Sequence, residues 1–375
     1  MKAWATLNAA PGIGPRRFHQ LLKAFGSPER ALGSSASHMA ASCPGLGADG
    51  AAAVLKFAAE FDSAAELELA ARAGARLLPF QDPGYPRALL SLYDAPPLLY
   101  VRGRLAPEGT RVLGVVGTRK PSDYGLAQCR SLVRGLQPAG LAVVSGLARG
   151  IDTMAHQSAL DFKMQTVGVL GSGLASFYPA ENRGLAERMV AEGGAVLSQF
   201  PMKASPEKFR FPMRNGLISG LSAGILVVEG EESSGSMITA EWALEQGREV
   251  FALPGRADSS QSRGPMRLIQ QGAKLVLDAS DILAEFPEHA AQASLSRRRR
   301  KDNFEPVLPG MQRPIDDLTG EEALIVGALR ESGRLPIELL SGRLKMPASA
   351  LSANLTLLEI KGAVRQLPGA LVEAV

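Results

Sequence analysis

The most constraining feature of this 375-residue chain is a strand-like pattern that occurs four times between Val112 and Val228. Each occurrence is a short apolar run followed by a loop rich in glycine or serine, and the first two loops carry arginine. Segments with helical periodicity separate the runs. Strands that alternate with helices indicate right-handed crossovers and a mostly parallel α/β sheet. In such a sheet, the loops that follow the strands emerge at one edge.

The loops of this pattern have the chemistry of a phosphate-binding surface. The runs and their loops are 112–116 with 117–120, 141–144 with 145–150, 166–170 with 171–173, and 224–228 with 233–236. Further strands are expected at 195–198, 249–253 and 274–277, and helices at 124–137, 152–160 and 239–246. Glycine lets the backbone approach a ligand closely, and backbone N–H groups and arginine bind phosphate. Because several such loops follow one another, the sequence predicts a polyanion site at the carboxyl edge of the sheet.

The residues of these loops are the candidate ligands. From the first three loops they are Gly117, Arg119, Lys120, Ser145, Gly146, Arg149, Gly150, Gly171, Ser172 and Gly173. Further along the chain they are Asn182, Arg183, Arg210, Arg214, Asn215, Ser234 and Gly235. The planar guanidinium of Arg119 can bind two phosphate oxygens at once. Ser234 and Gly235 open a helix, where they either bind an anion or only cap the helix.

Two other groups of residues have a functional and a structural interpretation. Phe209 and Phe211 stand beside arginines, and aromatic faces can stack on unpaired bases while arginine holds the backbone. The alternative is that both phenylalanines are core anchors and that only Arg214 is functional, and for the phenylalanines we favour it. Asp152 and His156 lie one helical turn apart, and we expect a structural pair rather than an acid–base dyad.

Composition and missing motifs narrow the function further. The formal net charge of +4 and the pI of about 9.1 permit a polyanionic partner without requiring one. Two distant cysteines fit a reducing cytosol, and the four histidines form no metal-ligand spacing with them. No apolar run reaches the roughly 20 residues that span a bilayer, and the N-terminus does not resemble a signal peptide. We therefore expect a cytoplasmic protein without a membrane partner.

The chain also lacks the common signatures of catalysis. There is no Gly-x4-Gly-Lys-Ser/Thr loop, no Gly-x-Ser-x-Gly elbow and no clustered set of carboxylates for a two-metal site. No nucleophile has an attendant base in the sequence pattern. We therefore expect no catalytic residue, no metal and no cofactor.

Composition divides the chain into five segments. They are a helical domain at 1–75, a proline-rich connection and edge of the core at 76–110, the α/β core at 111–286, a basic, proline-rich linker at 287–315 and a winged helix at 316–375. A short edge strand is expected at 100–103. The Arg297–Lys301 run in the linker is either a solvated spacer, which we favour, or an electrostatic contact to nucleic acid.

The two terminal domains have less specific signals. Residues 12–14 and 45–47 each form a Gly-x-Gly turn before a helix, as in helix-hairpin-helix units that bind phosphate. A bundle that uses glycine only for tight turns is an equal alternative, and Arg16, Arg17 and Lys23 make the first turn the better candidate binder. The capping-box spacing of Thr319 and Glu322 predicts the first helix of the C-terminal domain. Its presumed recognition helix carries Ser352, Asn354 and Thr356 but no basic residue, so we favour a packing or protein-contact role.

Several motifs fall in the order typical of one family. They are Val116-Gly-Thr-Arg119, Ser145-Gly-Leu-Ala-Arg-Gly-Ile-Asp152 with Ala155-His156, Val169-Leu-Gly-Ser-Gly173 with Tyr178-Pro179 and Asn182, Phe211-Pro-Met-Arg-Asn215, Ser219-Gly-Leu-Ser222, Ser234-Gly-Ser-Met-Ile-Thr-Ala240, Gly247-Arg248 and Pro254-Gly255. Together they resemble the DNA-processing protein A family, also called DprA or Smf. The resemblance covers most of residues 80 to 285. Two departures are Gly216, where the family commonly has arginine, and Gln199-Phe200 in place of a frequent Glu-Tyr.

The resemblance implies a fold and a function. The fold is an extended Rossmann-like parallel sheet between an N-terminal helical domain, similar to SAM or helix-hairpin-helix domains, and a C-terminal winged helix. The protein is then a homodimer without enzymatic activity. It binds and protects incoming single-stranded DNA and loads the RecA recombinase onto it in natural transformation. Arg119 is then the strongest phosphate ligand, and the other candidate residues line or adjoin the same pocket.

Two alternatives remain open at this point. The fold is also similar to that of phosphoribohydrolases, nucleotide-binding enzymes that place Gly/Ser loops and an acid around a phosphate, and Glu241 is the only candidate acid here. Alternatively, the winged helix makes the chain a transcription regulator. Base release from nucleoside monophosphates would favour the enzyme, and duplex binding that depends on residues 316–375 would favour the regulator.

Overall fold

A computed structural model describes residues 1–43, 45–286, 320–360, 363–367 and 371–374. These residues belong to two compact units, Met1–Arg298 and Arg299–Val375. The predicted linker at 287–315 lies outside the described residues, together with Thr319 of the predicted capping box.

The first unit begins with a bundle of six helices. They are α1 (Lys2–Ala9), α2 (Pro15–Phe25), α3 (Pro28–Leu32), α4 (Ala36–Ser42), α5 (Gly47–Glu60) and α6 (Ser63–Arg72). Pro15 and Pro28 stand at the start of their helices, where a missing N–H costs nothing. The bundle core contains Trp4, Phe18 and Met39.

Arg17 ties the two Gly-x-Gly turns of this bundle to each other. Its Nη1 donates to the carbonyl oxygen of Gly12 at 2.7 Å, and its Nη2 donates to that of Gly45 at 2.8 Å. The Arg16 guanidinium lies over the Tyr93 ring at 4.4 Å. Both arginines predicted as ligands of the first turn therefore have internal partners.

The centre of the first unit is a nine-stranded sheet. Its strands are β1 (Ala75–Pro79), β2 (Leu98–Gly103), β3 (Val112–Val116), β4 (Ala142–Ser145), β5 (Thr166–Val169), β6 (Ala195–Ser198), β7 (Gly224–Val227), β8 (Glu249–Ala252) and β9 (Lys274–Leu275). Their spatial order is β1-β2-β6-β5-β4-β3-β7-β8-β9. In this spatial order, every neighbouring pair from β6 through β3 to β9 is parallel. Strand β2 pairs antiparallel with both β1 and β6. The predicted mostly parallel, Rossmann-like sheet is confirmed.

Helices cover both faces of the sheet. They are α7 (Arg87–Leu90), α8 (Asp123–Leu136), α9 (Ile151–Asp161), α10 (Arg183–Ala191), α11 (Arg210–Leu221), α12 (Gly235–Glu245), α13 (Ser260–Gln270) and α14 (Ala279–Leu283). Successive strand residues point to opposite faces, so Leu226 packs in one core with α8, α9 and α14, while Ile225 and Val227 pack in another with α11, α12 and α13. Burial on both faces explains the near-continuous apolar runs of the strands.

The strand order places a topological switch between β3 and β7. From β3 the chain moves outward through β4, β5 and β6, and it then returns to form β7 on the other side of β3. Doubly wound sheets bind ligands at the carboxyl ends of the strands beside such a switch. The loops after β3, β4, β5 and β7 lie at this edge.

One predicted element has a different position in the structure. The strand expected at 100–103 exists as β2, but it lies inside the sheet, and β1 forms the edge. The sequence did not predict β1 because Arg76 and Pro79 leave little apolar alternation in a five-residue strand.

The second unit is a winged helix, as predicted. Its elements are α15 (Gly320–Ser332), β10 (Leu335–Pro336), α16 (Ile337–Leu344), α17 (Ala348–Ile360), β11 (Val364–Leu367) and β12 (Leu371–Ala374). The strands form an antiparallel sheet in the order β10-β12-β11. On the presumed recognition helix, Asn354 donates to Glu321 Oε2 at 3.1 Å and so has a partner inside the domain. In the described parts of both units, every helix is too short or too polar to cross a membrane.

Candidate nucleic-acid interface

The loops after β3 and β4 are in direct contact. The N–H of Ile151 donates to the carbonyl oxygen of Thr118 at 3.2 Å. Gly150 has φ of +78°, and a Cβ at this position would lie 2.9 Å from Arg119 Cα. Because only glycine fits this conformation and this spacing, the turn that carries Arg149 packs against the loop that carries Arg119.

The ring of Phe211, in the first turn of α11, connects these loops to the loop after β5. The Arg119 guanidinium lies 5.8 Å from the ring centroid, and the Arg214 guanidinium lies 5.9 Å from it. The Tyr178 ring meets Phe211 edge to face, with the two centroids 6.0 Å apart. A Cβ on Gly171 would lie 2.8 Å from the Phe211 ring. These five residues form what we call the Phe211 cluster, and they bring the three predicted loops onto one surface.

The candidate residues differ in exposure. Arg119, Lys120, Arg149, Arg183 and Gly235 are exposed, and Gly117, Gly150, Arg210 and Ser234 are partly exposed. The buried candidates are Ser145, Gly146, Gly171, Ser172, Gly173, Asn182, Arg214 and Asn215. The structure therefore separates a set of surface cations and turns from a set of residues beneath them.

The favoured interpretation of Phe209 and Phe211 as core anchors is wrong. Phe209 precedes α11 and is 57% exposed, and Phe211 is only partly buried. Arg214, one of the candidate ligands, is 5% exposed. The helix begins at Arg210, so its first turn stays at the rim of the sheet while the following turn enters the core.

Arg214 joins the ends of two neighbouring strands. Its Nη1 donates to the carbonyl oxygen of Gly146, after β4, and to that of Val169 in β5, the latter at 3.0 Å. A side chain on Gly146 would overlap this guanidinium, which explains the glycine. Burial lowers the pKa of Arg214, and the neighbouring Asp152 carboxylate opposes that shift. Asp152 in turn accepts hydrogen bonds from the N–H groups of Gly146, at 3.1 Å, and Ala148, at 3.3 Å.

Three other buried candidates also brace the loops. Ser145 Oγ donates to the carbonyl oxygen of Val115 in β3 at 2.6 Å. Asn182 Nδ2 donates to the carbonyl oxygen of Leu147 at 2.7 Å. Asn215 Nδ2 donates to the carbonyl oxygen of Gly235 at 3.0 Å. Each of these contacts crosses between two segments of the site, so these side chains fix the shape of the surface.

The surface cations are not equally available to a ligand. Arg149 is in an ion pair with Glu181, and Arg210 is in one with Glu207 at 3.1 Å. Arg183 lies over the Phe177 ring at 5.4 Å. Arg119 forms no ion pair with any carboxylate in the described part of the chain, and its partner is the Phe211 ring. Arg119 can therefore bind a phosphate without first losing a salt bridge.

Asp152 and His156 each bind other groups of the buried protein interior, but they are not hydrogen-bonded to each other. His156 is buried, and its Nδ1 lies 2.7 Å from Thr166 Oγ1, whereas Asp152 binds backbone N–H groups. Burial, together with the positive charge of Arg214, lowers the pKa of His156 to about 3. The predicted structural role is supported, but the predicted pairing is wrong. Among the described residues, no three His, Cys, Asp or Glu side chains form a metal-binding group.

Comparison with known proteins assigns this architecture to a family. Residues 76–287 match the family described as DNA recombination-mediator protein A, and residues 309–370 match the DprA winged helix domain. The chain belongs to the DNA-processing protein A family. The winged-helix match and the parallel sheet bear out the domain types predicted at the centre and at the C-terminus.

Individual members of the DNA-processing protein A family are similar over long stretches. DNA processing protein DprA of Bacillus subtilis is 46% identical over 221 residues, which are 58% of this chain and 74% of that protein. Protein Smf of Escherichia coli is 37% identical over 301 residues, which are 79% of this chain and 76% of that protein.

Two solved structures of the family resemble this chain. The X-ray structure of DprA from Streptococcus pneumoniae has a TM-score of 0.67 and 33% identity, and the match covers 76% of this chain and 98% of that one. The DNA processing protein A of Helicobacter pylori, studied for its single-stranded DNA binding mode, has a TM-score of 0.51 and 28% identity. That second match covers 57% of this chain and 96% of the Helicobacter protein.

The site also contains a residue that the sequence did not single out. Glu229 follows β7 as a buried carboxylate beside the loop after β3. The sequence could have indicated Glu229 as a site residue, because it is a carboxylate that follows an apolar strand. Its partner, Ser122, is too distant in the sequence to be found by spacing.

Because His156 is buried, we expect the free energy of unfolding to depend on pH. Its pKa is about 3 in the folded chain, against 6.5 for an ordinary histidine, so the unfolded chain takes up the proton first as the pH falls. This histidine therefore does not lower the free energy of unfolding above pH 6.5. Between pH 6.5 and pH 3 it lowers that free energy as the pH falls, by at most about 1.4 kcal/mol per pH unit. His156→Gln cannot titrate and should have a shallower loss of stability between about pH 7 and about pH 5 in urea unfolding.

The difference in pH slope between the wild type and His156→Gln isolates the contribution of His156. Burial raises the pKa of Asp152, which gives a slope of opposite sign, but that slope is common to both proteins and cancels in the comparison. Equal pH slopes for wild type and His156→Gln would show that His156 is not held neutral by the fold.

Proposed function

We propose that the chain binds single-stranded DNA across the Phe211 cluster, with Arg119 as the principal phosphate ligand. The observation that carries this proposal is the meeting of three strand-end loops around one aromatic ring, with an exposed, unpaired arginine above it. Arginine binds phosphate through parallel hydrogen bonds. Backbone turns without side chains, such as Gly150, allow a strand to approach closely.

The aromatic side chains favour an unpaired strand over a duplex. Phe209 is 57% exposed and Tyr178 is 41% exposed. Phe211, which contacts Tyr178 and Arg119, is partly exposed. Base faces are accessible to such rings only when the bases are unpaired, and stacking depends little on base identity. We therefore propose binding with little sequence preference.

We infer that the site acts by binding and not by catalysis. His156 is buried and neutral at physiological pH, so it cannot serve a ligand at the surface as a base. Asp152 is engaged by backbone N–H groups beneath the loops. Glu241, the candidate acid of a phosphoribohydrolase, is exposed on α12. No observation in the site favours the enzyme over the binder.

Replacement of Arg119 tests the proposed site. Arg119→Ala should weaken binding of unrelated single-stranded oligonucleotides to a similar degree and reduce the slope of log affinity against log salt by about 1, the loss of one phosphate contact. The matched control is Arg104→Ala, which removes an exposed arginine at the amino end of β6, on the opposite edge of the sheet.

Electrophoretic mobility shifts across a salt series, with single- and double-stranded oligonucleotides, provide the measurement. Wild-type affinity and salt slope in Arg119→Ala would remove Arg119 from the site. Tighter binding of the duplex by the wild type would contradict the preference for unpaired DNA.

We further propose that the chain forms a homodimer and loads the RecA recombinase onto the bound strand. The description of its family as a DNA recombination-mediator supports recombinase loading. Leu275 and Leu277 support the dimer, because they are exposed at β9, the open edge of the sheet, and Leu277 is 68% exposed. Exposed leucines at an open edge are typical of a surface that a second copy covers. We also place this activity in natural transformation, in the cytoplasm, as the resemblance implies.

Leu277→Glu tests the dimer, and recombinase assembly tests the loading. In sedimentation we expect a dimer for the wild type and a monomer for Leu277→Glu, because a charge at the centre of an apolar contact opposes association. The wild type should accelerate assembly of RecA on a labelled strand, and Arg119→Ala should do so less. A monomeric wild type would refute the dimer. A rate of RecA assembly that the wild-type protein does not change would refute the loading.

A further inference from the structure

Glu229 is a buried carboxylate at the topological switch of the sheet. It follows β7, which neighbours β3, and it is 3% exposed. Its Oε2 accepts a hydrogen bond from the N–H of Ser122 at 2.9 Å, and its Oε1 accepts one from Ser122 Oγ at 2.5 Å. No Lys, Arg or His nitrogen of the described residues forms an ion pair with this carboxylate.

The partner of Glu229 is the start of a helix. Ser122 is the N-cap of α8, the first helix after β3, and its Oγ also accepts from the N–H of Gly125 at 3.1 Å. A side chain on Gly125 would overlap the Glu229 carboxylate, so glycine in the first turn permits this approach. The N-terminus of a helix carries a partial positive charge and free N–H groups, which compensate the buried negative charge.

The place that this carboxylate occupies has a known use in doubly wound sheets. There, the helix that follows the first strand receives a nucleotide phosphate at its N-terminus, beside the switch between strand directions. In this chain the equivalent helix is α8, and a side chain of the chain itself already lies there. The usual phosphate position is therefore filled from within.

Glu229 also contacts the loop that carries Arg119. Its backbone carbonyl accepts from the N–H of Thr118 at 2.7 Å, and a Cβ on Gly117 would lie 2.9 Å from that oxygen. The two ends of the 117–122 segment are thus bound to one residue, Thr118 through the Glu229 backbone and Ser122 through its carboxylate. Arg119 lies between these two attachments.

We propose that the Glu229 carboxylate is a built-in anion that occupies the nucleotide-phosphate position of the sheet, thereby fixing the Arg119 loop and confining DNA to the neighbouring strand ends. Glu229 is in this sense a positioning residue, because it touches the Arg119 loop and not the DNA. The part of the proposal that concerns DNA rests on the proposed single-strand binding. The part that concerns the anion position does not.

Anion rescue of Glu229→Ala tests the proposal. Removal of the carboxylate leaves the N-terminus of α8 without its anion, so inorganic phosphate should enter and stabilise the variant. We expect the thermal midpoint of Glu229→Ala to rise with phosphate more than with sodium chloride of equal ionic strength. The wild type should show no such difference, because its anion position is filled. Acetate, the chemical group that the substitution removes, should act like phosphate.

DNA binding is the second readout. In chloride buffer, Glu229→Ala should bind a single-stranded oligonucleotide about tenfold more weakly than the wild type, because the Arg119 loop loses one attachment. Phosphate at constant ionic strength should restore part of this affinity in the variant and restore none in the wild type. A merely structural role for Glu229 would not give recovery that is specific to an anion.

Glu229→Gln covers the case in which the alanine variant does not fold. It keeps the size of the side chain and an oxygen acceptor but lacks the charge, so it should fold and bind DNA more weakly than the wild type. Wild-type affinity in either variant, or no stabilisation of a folded Glu229→Ala by phosphate or acetate beyond chloride, overturns the proposal. If the wild type itself fails to bind single strands, the proposed function fails, and the phosphate effect on stability still decides the anion position.

Discussion

The site depends on one buried guanidinium. Arg214 donates to the backbone at the ends of β4 and β5 and lies against the Phe211 ring, so it joins two strand ends and the helix that crosses them. Leaving a buried charge without partners costs several kcal/mol, which is about the size of the whole stability of many domains. The loops around Arg214 can therefore move apart only if this charge is solvated, and this constraint holds the surface in one shape.

Burial divides the polar residues of the site into two groups with different tasks. Asp152, Asn182 and Arg214 bind backbone groups beneath the surface and have no free face for a long ligand. Arg119 and Lys120 stand above them and remain open to solvent. A polyanion needs surface cations that are held in place at little entropic cost on binding, and a rigid buried layer supplies this. Glu229 extends the buried layer to the switch of the sheet, where it binds the N-terminus of α8.

The sequence predicted the strands and the gathering of their loops because both follow from local patterns. Apolar runs such as Val112–Val116 and Ala195–Ser198 have the predicted bounds, since strands buried on both faces leave a continuous signal. The common edge of the loops follows from parallel strand direction alone. Burial within the loops was not predictable, because it depends on where α11 begins relative to the sheet. Phe209, expected to be a core anchor, is exposed, and the candidate ligand Arg214 is buried. The Glu229–Ser122 contact was not predictable because it joins residues that are far apart in sequence.

A crystal structure of the chain with an oligothymidylate tests the central claim most directly, which is that an unpaired strand lies over the ring where the three loops meet. The account predicts a backbone phosphate within about 3 Å of the Arg119 guanidinium and a base against the exposed face of Phe211 or Tyr178. The α8 N-terminus should still hold Glu229 in that complex. A strand that lies on the glycine turns of the N-terminal helices or on the winged helix, with Arg119 still on the Phe211 ring and no phosphate nearby, would contradict it.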